Sequence, residues 1–280
     1  MSDVYVVSAM RTAIGGFGGS LKDIPPHQLG TTVMKAALEK AGVQGADVGH
    51  VVVGHVVNTE PRDMYLSRYA SVNAGVSIET PAMNVNRLCG SGLQAIISAA
   101  QSILLGDAQI AIGAGVENMS RAPYIAPALR FGARMGDSQF LDMMTGALSD
   151  PFERIHMGVT AENLACKYEI SREEQDALAA ESHARAINAI NKGYFKDQIV
   201  PIMLKTRKGE VAFDTDEHAR NDITPEGLAK LKPVFVKENG TVTAGNASGI
   251  NDGAGAVVLM SGEAVKARGV KPLARLVAYA

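Results

Sequence analysis

Two cysteines and six histidines are the side chains of this 280-residue chain whose ordinary pKa values lie nearest neutrality, where nucleophilic and acid–base chemistry is easiest to arrange. Cys89 lies in NVNRLCGSGLQAIISAAQSILLGD, Asn84 to Asp107, after a short apolar run and immediately before Gly-Ser-Gly. The pattern that follows is helical, with Leu93, Ile96, Ile97, Ala100 and Leu104 on one apolar face. A thiol in that place stands near the first turn of a helix, where unpaired N–H groups and the macrodipole favour an anion, and thiolate is the reactive species. Gly90, Ser91 and Gly92 remove bulk around the sulfur, so a carbonyl substrate has room to approach backbone N–H donors. A cysteine packed as a small hydrophobe is the other reading. Residue types alone leave both open. Cys166, in NLACKYEI on an amphipathic helix, reads as structural, and His27, His50, His55, His156, His183 and His218 show no metal-ligand spacing, so no metal site is expected.

The elements that position Cys89 are legible as alternating strands and helices. VYVVSA (Val4 to Ala9) reads as a buried strand, and LGTTVMKAALEKAGV as an amphipathic helix closed by Gly42. HVVVGHVV (His50 to Val57) is a second strand, MYLSRYASVNAG a helix, AMNVN a third strand, and AQIAIGAG a fourth. This order predicts a largely parallel sheet with helices on its faces, and the continuous Val/Ile runs predict strands buried on both sides. Glycine clusters such as IGGFGGS, LCGSG, AIGAG and TAGNASGINDGAGA fit tight turns or close approach to a ligand or another backbone.

From about Val116 to Val242 the texture becomes rich in Met, Arg and Pro, with charged helices and a capping-box signature at Ser171 and Glu174. This segment reads as a long insertion, after which the glycine-rich apolar pattern resumes. Its stretch RAPYIAPALRFGARMGDSQFLDMM has the composition of an assembly loop, or of a loop packed on its own domain. A formal charge of -2 gives no electrostatic footprint for nucleic acid. Hydrophobic residues at 46% and charged residues at 20% describe an ordinary globular chain, with no apolar stretch long enough to span a bilayer. Two cysteines fit a reducing compartment, so the cytoplasm is expected.

Five separated motifs, VVSAMRTAIGGFGGSL, NRLCGSGLQAI, GVENMSRAPY, HMGVTAEN and VTAGNASGINDGA, together resemble the thiolase family of acetyl-CoA acetyltransferases and 3-ketoacyl-CoA thiolases. The resemblance runs from the first strand to the last residue. It implies an α/β layered fold: an N-terminal sheet domain (1–115 and 243–273) with an inserted helical loop domain (116–242), and the start of a second, related domain at 274–280. It implies acyl transfer between a 3-ketoacyl-CoA or acetyl-CoA and CoA, in a ping-pong scheme with Cys89 carrying the acyl group. Coenzyme A and acyl-CoA enter as substrates, and no tightly bound cofactor is expected. The residues matching the family's CoA site are Leu148, His156, Met157, Arg220, Phe235, Ala244 and Ser248. A homo-oligomer, dimer or tetramer, is implied, with no membrane or nucleic-acid partner.

The family's Gly-His-Pro, Cys-x-Gly-Gly-Gly and Asn-Glu-Ala motifs do not occur in the sequence, and KPLARLVAYA resembles the opening of a further strand. The second sheet domain is therefore expected to be missing, and the chain to be inactive or weak without the base it carries. Two alternatives are a non-catalytic CoA- or partner-binding module and a ketoacyl synthase of the same superfamily; the long loop segment with HMGVTAEN and TAGNASG resembles thiolases instead.

Overall fold

The computed structural model describes residues 3–280, which cluster into two compact units. The first comprises residues up to Ala122, Asp197–Thr215 and Asn251–Ala280; the second comprises Pro123–Lys196 and Asp216–Ile250.

In the first unit the Val-rich start forms β1 (Val4–Arg11). Pro26 opens α1 (Pro26–Ala41), where its missing N–H is harmless, and Gly42 closes the helix at φ 64°. The chain continues through β2 (His50–Gly54), α2 (Leu66–Asn73), β3 (Ala82–Val85), α3 (Ser91–Leu104) and β4 (Ile110–Asn118). The second unit then supplies α4 (Met157–Tyr168) and α5 (Arg172–Asn191). The chain rejoins the first unit through the hairpin β5 (Ile202–Thr206) and β6 (Gly209–Phe213), then β7 (Asn251–Ser261), α6 (Gly262–Arg268) and β8 (Ala274–Arg275).

The main sheet runs β8-β1-β7-β4-β2-β3, with Gly15–Gly16 pairing at the start of β7. It is mixed where the sequence predicted a largely parallel sheet. β2 is parallel to β3 and β4, but β7 is antiparallel to both β4 and β1. The cause lies in the connections: the helical crossovers through α2 and α3 generate parallel neighbours. β7 instead enters after the long excursion, from the opposite end of the sheet, and wedges between β1 and β4. Consecutive Val51, Val52 and Val53 are all fully buried, as expected for a strand covered on both faces. One face packs with Leu29, Val33 and Met34 of α1, the other with Ala95, Ala99, Ala100 and Ile103 of α3.

The units divide elsewhere than composition placed the insertion. The hairpin β5–β6 belongs to the first unit because Ile202 and Phe213 enter its core, and Arg11 pairs with this segment through its N–H to Gln198 O (2.8 Å) and its O from Val200 N (2.8 Å). At the other boundary, residues 241–246 stay with the second unit, tied to α4 and α5 by side chains described below. In α5 the expected capping box is present: Glu174 N–H donates to Ser171 Oγ (3.1 Å) and Ser171 N–H to Glu174 Oε2 (2.8 Å).

Candidate active site

Cys89 is exposed and sits just before α3, which starts at Ser91 with Gly90 as its N-cap. The residue before it, Leu88, adopts φ 46°, a left-handed conformation that a branched side chain resists. Local bonds hold it there. Asn86 Oδ1 accepts from Leu88 N–H at 2.9 Å, and the Ser91 hydroxyl donates to Leu88 O at 2.6 Å while accepting from Arg87 N–H at 2.8 Å. Gly90 N–H and Ser91 N–H are also spent inside the turn, on Arg87 O (3.1 Å) and Leu88 O (2.9 Å). Those two amides define the shape of the turn.

The helix behind Cys89 sits unusually close to the sheet. A Cβ on Gly113 of β4 would lie 2.8 Å from Ile96 Cα, and one on Gly54 of β2 would run into the Ser91–Gly92 peptide. These glycines serve backbone-to-backbone approach. Close approach also changes the buried face of α3. Ala95 and Ala99 meet the sheet; of the predicted apolar stripe, Ile97 and Ala100 are buried, Ile96 and Leu104 are only partly buried, and Leu93 points outward at 65% exposure. Small side chains are what fit between two backbones this near. A cavity of about 340 Å³ lies beside the helix, lined by Arg11, Gly92, Ile96, Gly113, Gly115 and Gly255; Cys89 is not part of its wall.

In the second unit the structure brings four predicted residues together. His156 is the N-cap of α4, its Nδ1 accepting from Gly158 N–H at 3.0 Å, and its ring stacks on Phe235 with centroids 4.8 Å apart. Leu148 O accepts from Met157 N–H at 2.8 Å, which closes the 148–157 segment, and Met157 leaves 44% of its surface open. The Phe235 ring occupies the space a Cβ on Gly158 would need.

Arg220 lies in a second cluster. Its guanidinium pairs bidentately with Asp222 (2.9 and 2.7 Å), and its N–H donates to His183 Nδ1 at 3.2 Å. Burial, with His218 and Arg220 nearby, holds the His183 imidazole below its usual pKa, in keeping with a ring nitrogen that accepts. His183, Ala184, Ile187, Arg220, Asn221 and Ile223 line a cavity of about 480 Å³. Ala244 and Ser248 are exposed on the TAGNASG turn, where the Ser248 hydroxyl donates to Gly249 O at 3.3 Å.

The sequence reading missed the residues that build this turn. Glu162 of α4 accepts from Thr241 N–H and Val242 N–H (both at 2.9 Å) and from the Thr241 hydroxyl (2.8 Å). Burial alone would raise its pKa; these hydrogen bonds outweigh that and hold it below the usual carboxylate range. Asn246 accepts from Thr243 N–H (2.7 Å) and donates to Asp176 Oδ1 (2.9 Å) and Thr241 O (3.0 Å). The Asn in NASG was a visible turn signal; its partner on α5 was not. Among the described residues, no group of three or more His, Cys, Asp or Glu side chains is arranged to hold a metal ion, and no helix is long and apolar enough to cross a membrane.

Comparison with known proteins agrees with this geometry. Residues 4–263 match the family model described as the thiolase N-terminal domain. Beta-ketothiolase BktB from Cupriavidus necator is 67% identical over 277 residues, covering 99% of this chain and 70% of that protein. An acetyl-CoA acetyltransferase from Chromobacterium violaceum is 51% identical over 280 residues, covering 99% of this chain and 71% of that protein. Among solved structures, the human mitochondrial 3-ketoacyl-CoA thiolase in complex with CoA superposes with a TM-score of 0.94 at 44% identity, covering 99% of this chain and 69% of that one. The layered α/β arrangement, the exposed thiol at its strand-to-helix turn and these matches lead to one assignment: the chain belongs to the thiolase family.

Proposed function

We propose that the chain is a thiolase-type acyltransferase that moves an acyl group between a 3-ketoacyl-CoA or acetyl-CoA and CoA, with Cys89 as the acyl carrier. The observation that carries this is the exposed thiol fixed on a left-handed turn at the start of α3. In the transfer from acetyl-CoA the Cys89 sulfur attacks the thioester carbonyl. The bond from that carbon to the CoA sulfur breaks, and CoA leaves as the thiol with the proton that Cys89 gave up. In thiolysis the bond broken is the carbon–carbon bond next to the keto group, and the departing acetyl-CoA carbanion takes the proton.

The second unit is assigned as the CoA-binding loop domain. Leu148, Met157 and the His156–Phe235 stack offer an apolar surface for the pantetheine arm. Arg220 faces the nucleotide or a phosphate, Ser248 meets a pantetheine amide, and Ala244 completes the set. The names of the relatives, beta-ketothiolase and acetyl-CoA acetyltransferase, and the CoA bound in a solved relative support this reading. We assign the chain to the cytoplasm and to a homo-oligomer, dimer or tetramer, whose contacts include the exposed Phe131 (94%) and Met135 (97%).

Incubation with acetyl-CoA followed by peptide mass spectrometry tests the assignment. One acetyl group on Cys89, lost in Cys89→Ser and kept in Cys166→Ser, is the expected result. Acetylation absent from Cys89, or found on Cys166, would overturn it.

A further inference from the structure

Behind the Cys89 turn lies a buried polar cluster that the acyl-transfer chemistry does not use. Three acidic or basic side chains meet where β2 and β4 end. Asp63 is fully buried and His55 nearly so, with 0% and 2% side-chain exposure; the imidazole lies between Asp63 and Glu117, which reaches in from the C-terminal end of β4 with 26% of its side chain exposed. His55 Nδ1 lies 2.8 Å from Val116 O and 3.5 Å from Glu117 Oε1, while its Nε2 is 3.9 Å from Asp63 Oδ2. Asp63 accepts from Thr59 N–H (2.7 Å), the Thr59 hydroxyl (2.8 Å) and Glu60 N–H (3.2 Å). A core this apolar does not retain two carboxylates and an imidazole for stability alone, since a buried ion pair seldom outperforms packed hydrophobic side chains.

The bonds leaving the cluster lead to the nucleophile. Glu117 accepts two consecutive main-chain donors, Val56 N–H on Oε2 (2.9 Å) and Val57 N–H on Oε1 (3.1 Å). That grip fixes the peptide after β2 on both sides. Val56 O in turn accepts from the Asn86 side-chain amide at 3.4 Å, and the other end of the same amide accepts from Leu88 N–H at 2.9 Å. Leu88 is the residue held at φ 46° immediately before Cys89. A strained residue of this kind persists only where its surroundings over-determine it.

We propose that Glu117 is a positioning residue for Cys89, acting through the Val56–Val57 peptide and the Asn86 side chain on the left-handed Leu88. This rests on Cys89 as the acyl carrier. A glutamine at 117 presents one acceptor and one N–H₂ to two N–H groups, so one of the two bonds must break. An aspartate keeps the charge and withdraws it by one methylene. An alanine at 86 removes the link without touching the buried cluster, on an exposed residue.

Carbamidomethylation of the full chain by iodoacetamide, followed peptide by peptide, reads the position of the thiol without any turnover. Cys166 in the same molecule is an exposed internal reference. The expected result is that Glu117→Gln, Glu117→Asp and Asn86→Ala each slow labelling of Cys89 by about fivefold or more relative to Cys166. Amide exchange in the peptide spanning 84–92 should accelerate in the same variants. A Cys89-to-Cys166 ratio within about twofold of the parent in both Glu117→Gln and Asn86→Ala would overturn the proposal, whatever happens to melting temperature. If the parent fails to take acetyl from acetyl-CoA while the labelling ratio still shifts, the positioning role stands and the acyl-carrier reading falls. If acetyl transfer occurs and the ratio does not shift, the reverse holds.

Discussion

Gly158 has no room for a methyl group: a Cβ there would enter the ring of Phe235. Because that ring also stacks on His156, Gly158→Ala should disturb both at once. Overpacking of this kind costs about 1–3 kcal/mol. The useful control is Gly146, in the short helix Met143–Ala147, where an added Cβ meets nothing within 4 Å. Gly146→Ala should stabilise by about 0.5–1 kcal/mol through the unfolded chain. Urea unfolding of the two variants, with CoA titration by calorimetry, should show opposite signs in stability and weaker CoA binding only for Gly158→Ala. Arg220 offers a second test at this scale. Its guanidinium is held bidentately by Asp222, so a phosphate must compete with a carboxylate for the same fork. Asp222→Asn should tighten CoA binding by about two- to fivefold and Arg220→Ala should weaken it by about tenfold. Tighter binding in Arg220→Ala would exclude Arg220 from the CoA site.

At the scale of elements, α3 is where sequence and structure diverge most instructively. Its existence and its start next to Cys89 were legible from periodicity and the Gly-Ser-Gly break. Its buried face was legible only in part, at Ile97 and Ala100, because Leu93 and Ile96 look more apolar than Ala95 and Ala99. What decides the face is how near the helix axis comes to the sheet, and that depends on Gly54 and Gly113, far away in sequence. The same holds for the polar ties. Glu117 and Val56 are 61 positions apart and Glu162 and Thr241 are 79 apart, so no local pattern announces them. The β5–β6 hairpin went unread for a different reason: IMLKTRKGEVAF buries only its ends, Ile202 and Phe213. Among the candidate site residues, the place of Cys89 just before α3 was legible, but the turn that aims it, with Leu88 at φ 46°, was visible only in the structure. From this follows a test of the glycine seat. Gly54→Ala should push the first turn of α3 off β2, destabilise by about 3 kcal/mol, and lower Cys89 labelling by iodoacetamide. Gly75→Ala would be a poor control, since φ 97° strains any side chain. Gly92→Ala is a better one, because its nearest contact is Gly115 Cα at 3.9 Å.

Taken as a whole molecule, the chain has two glutamates, Glu117 and Glu162, that each grip consecutive backbone amides, and their effects on stability run in opposite directions with pH. Burial raises the Glu117 pKa, with the His55 charge and the Val56 and Val57 amides pulling the other way. A carboxyl whose pKa is higher folded than unfolded binds protons preferentially in the native state, so its contribution falls as pH rises above the ordinary value of 4.5. Glu162 is the reverse. Its folded pKa lies below 4.5, so its contribution is full above that pH and is lost as pH falls through the folded value. Glu162 ties α4 to residues 241–242, which makes it the group whose protonation loosens the second unit, whereas Glu117 belongs to the first. Unfolding of the parent, Glu162→Gln and Glu117→Gln, followed between pH 7 and pH 4 by exchange in peptides from each unit, separates the two. Glu162→Gln should destabilise the second unit at pH 7 by about 1–3 kcal/mol, the cost of leaving backbone donors poorly satisfied, with the deficit shrinking toward pH 4. Glu117→Gln should show its smallest stability deficit at neutral pH, where the charged carboxylate is most costly to bury, and a larger one toward pH 4. An identical pH dependence in both variants would show that the two carboxylates do not differ in the way their surroundings dictate.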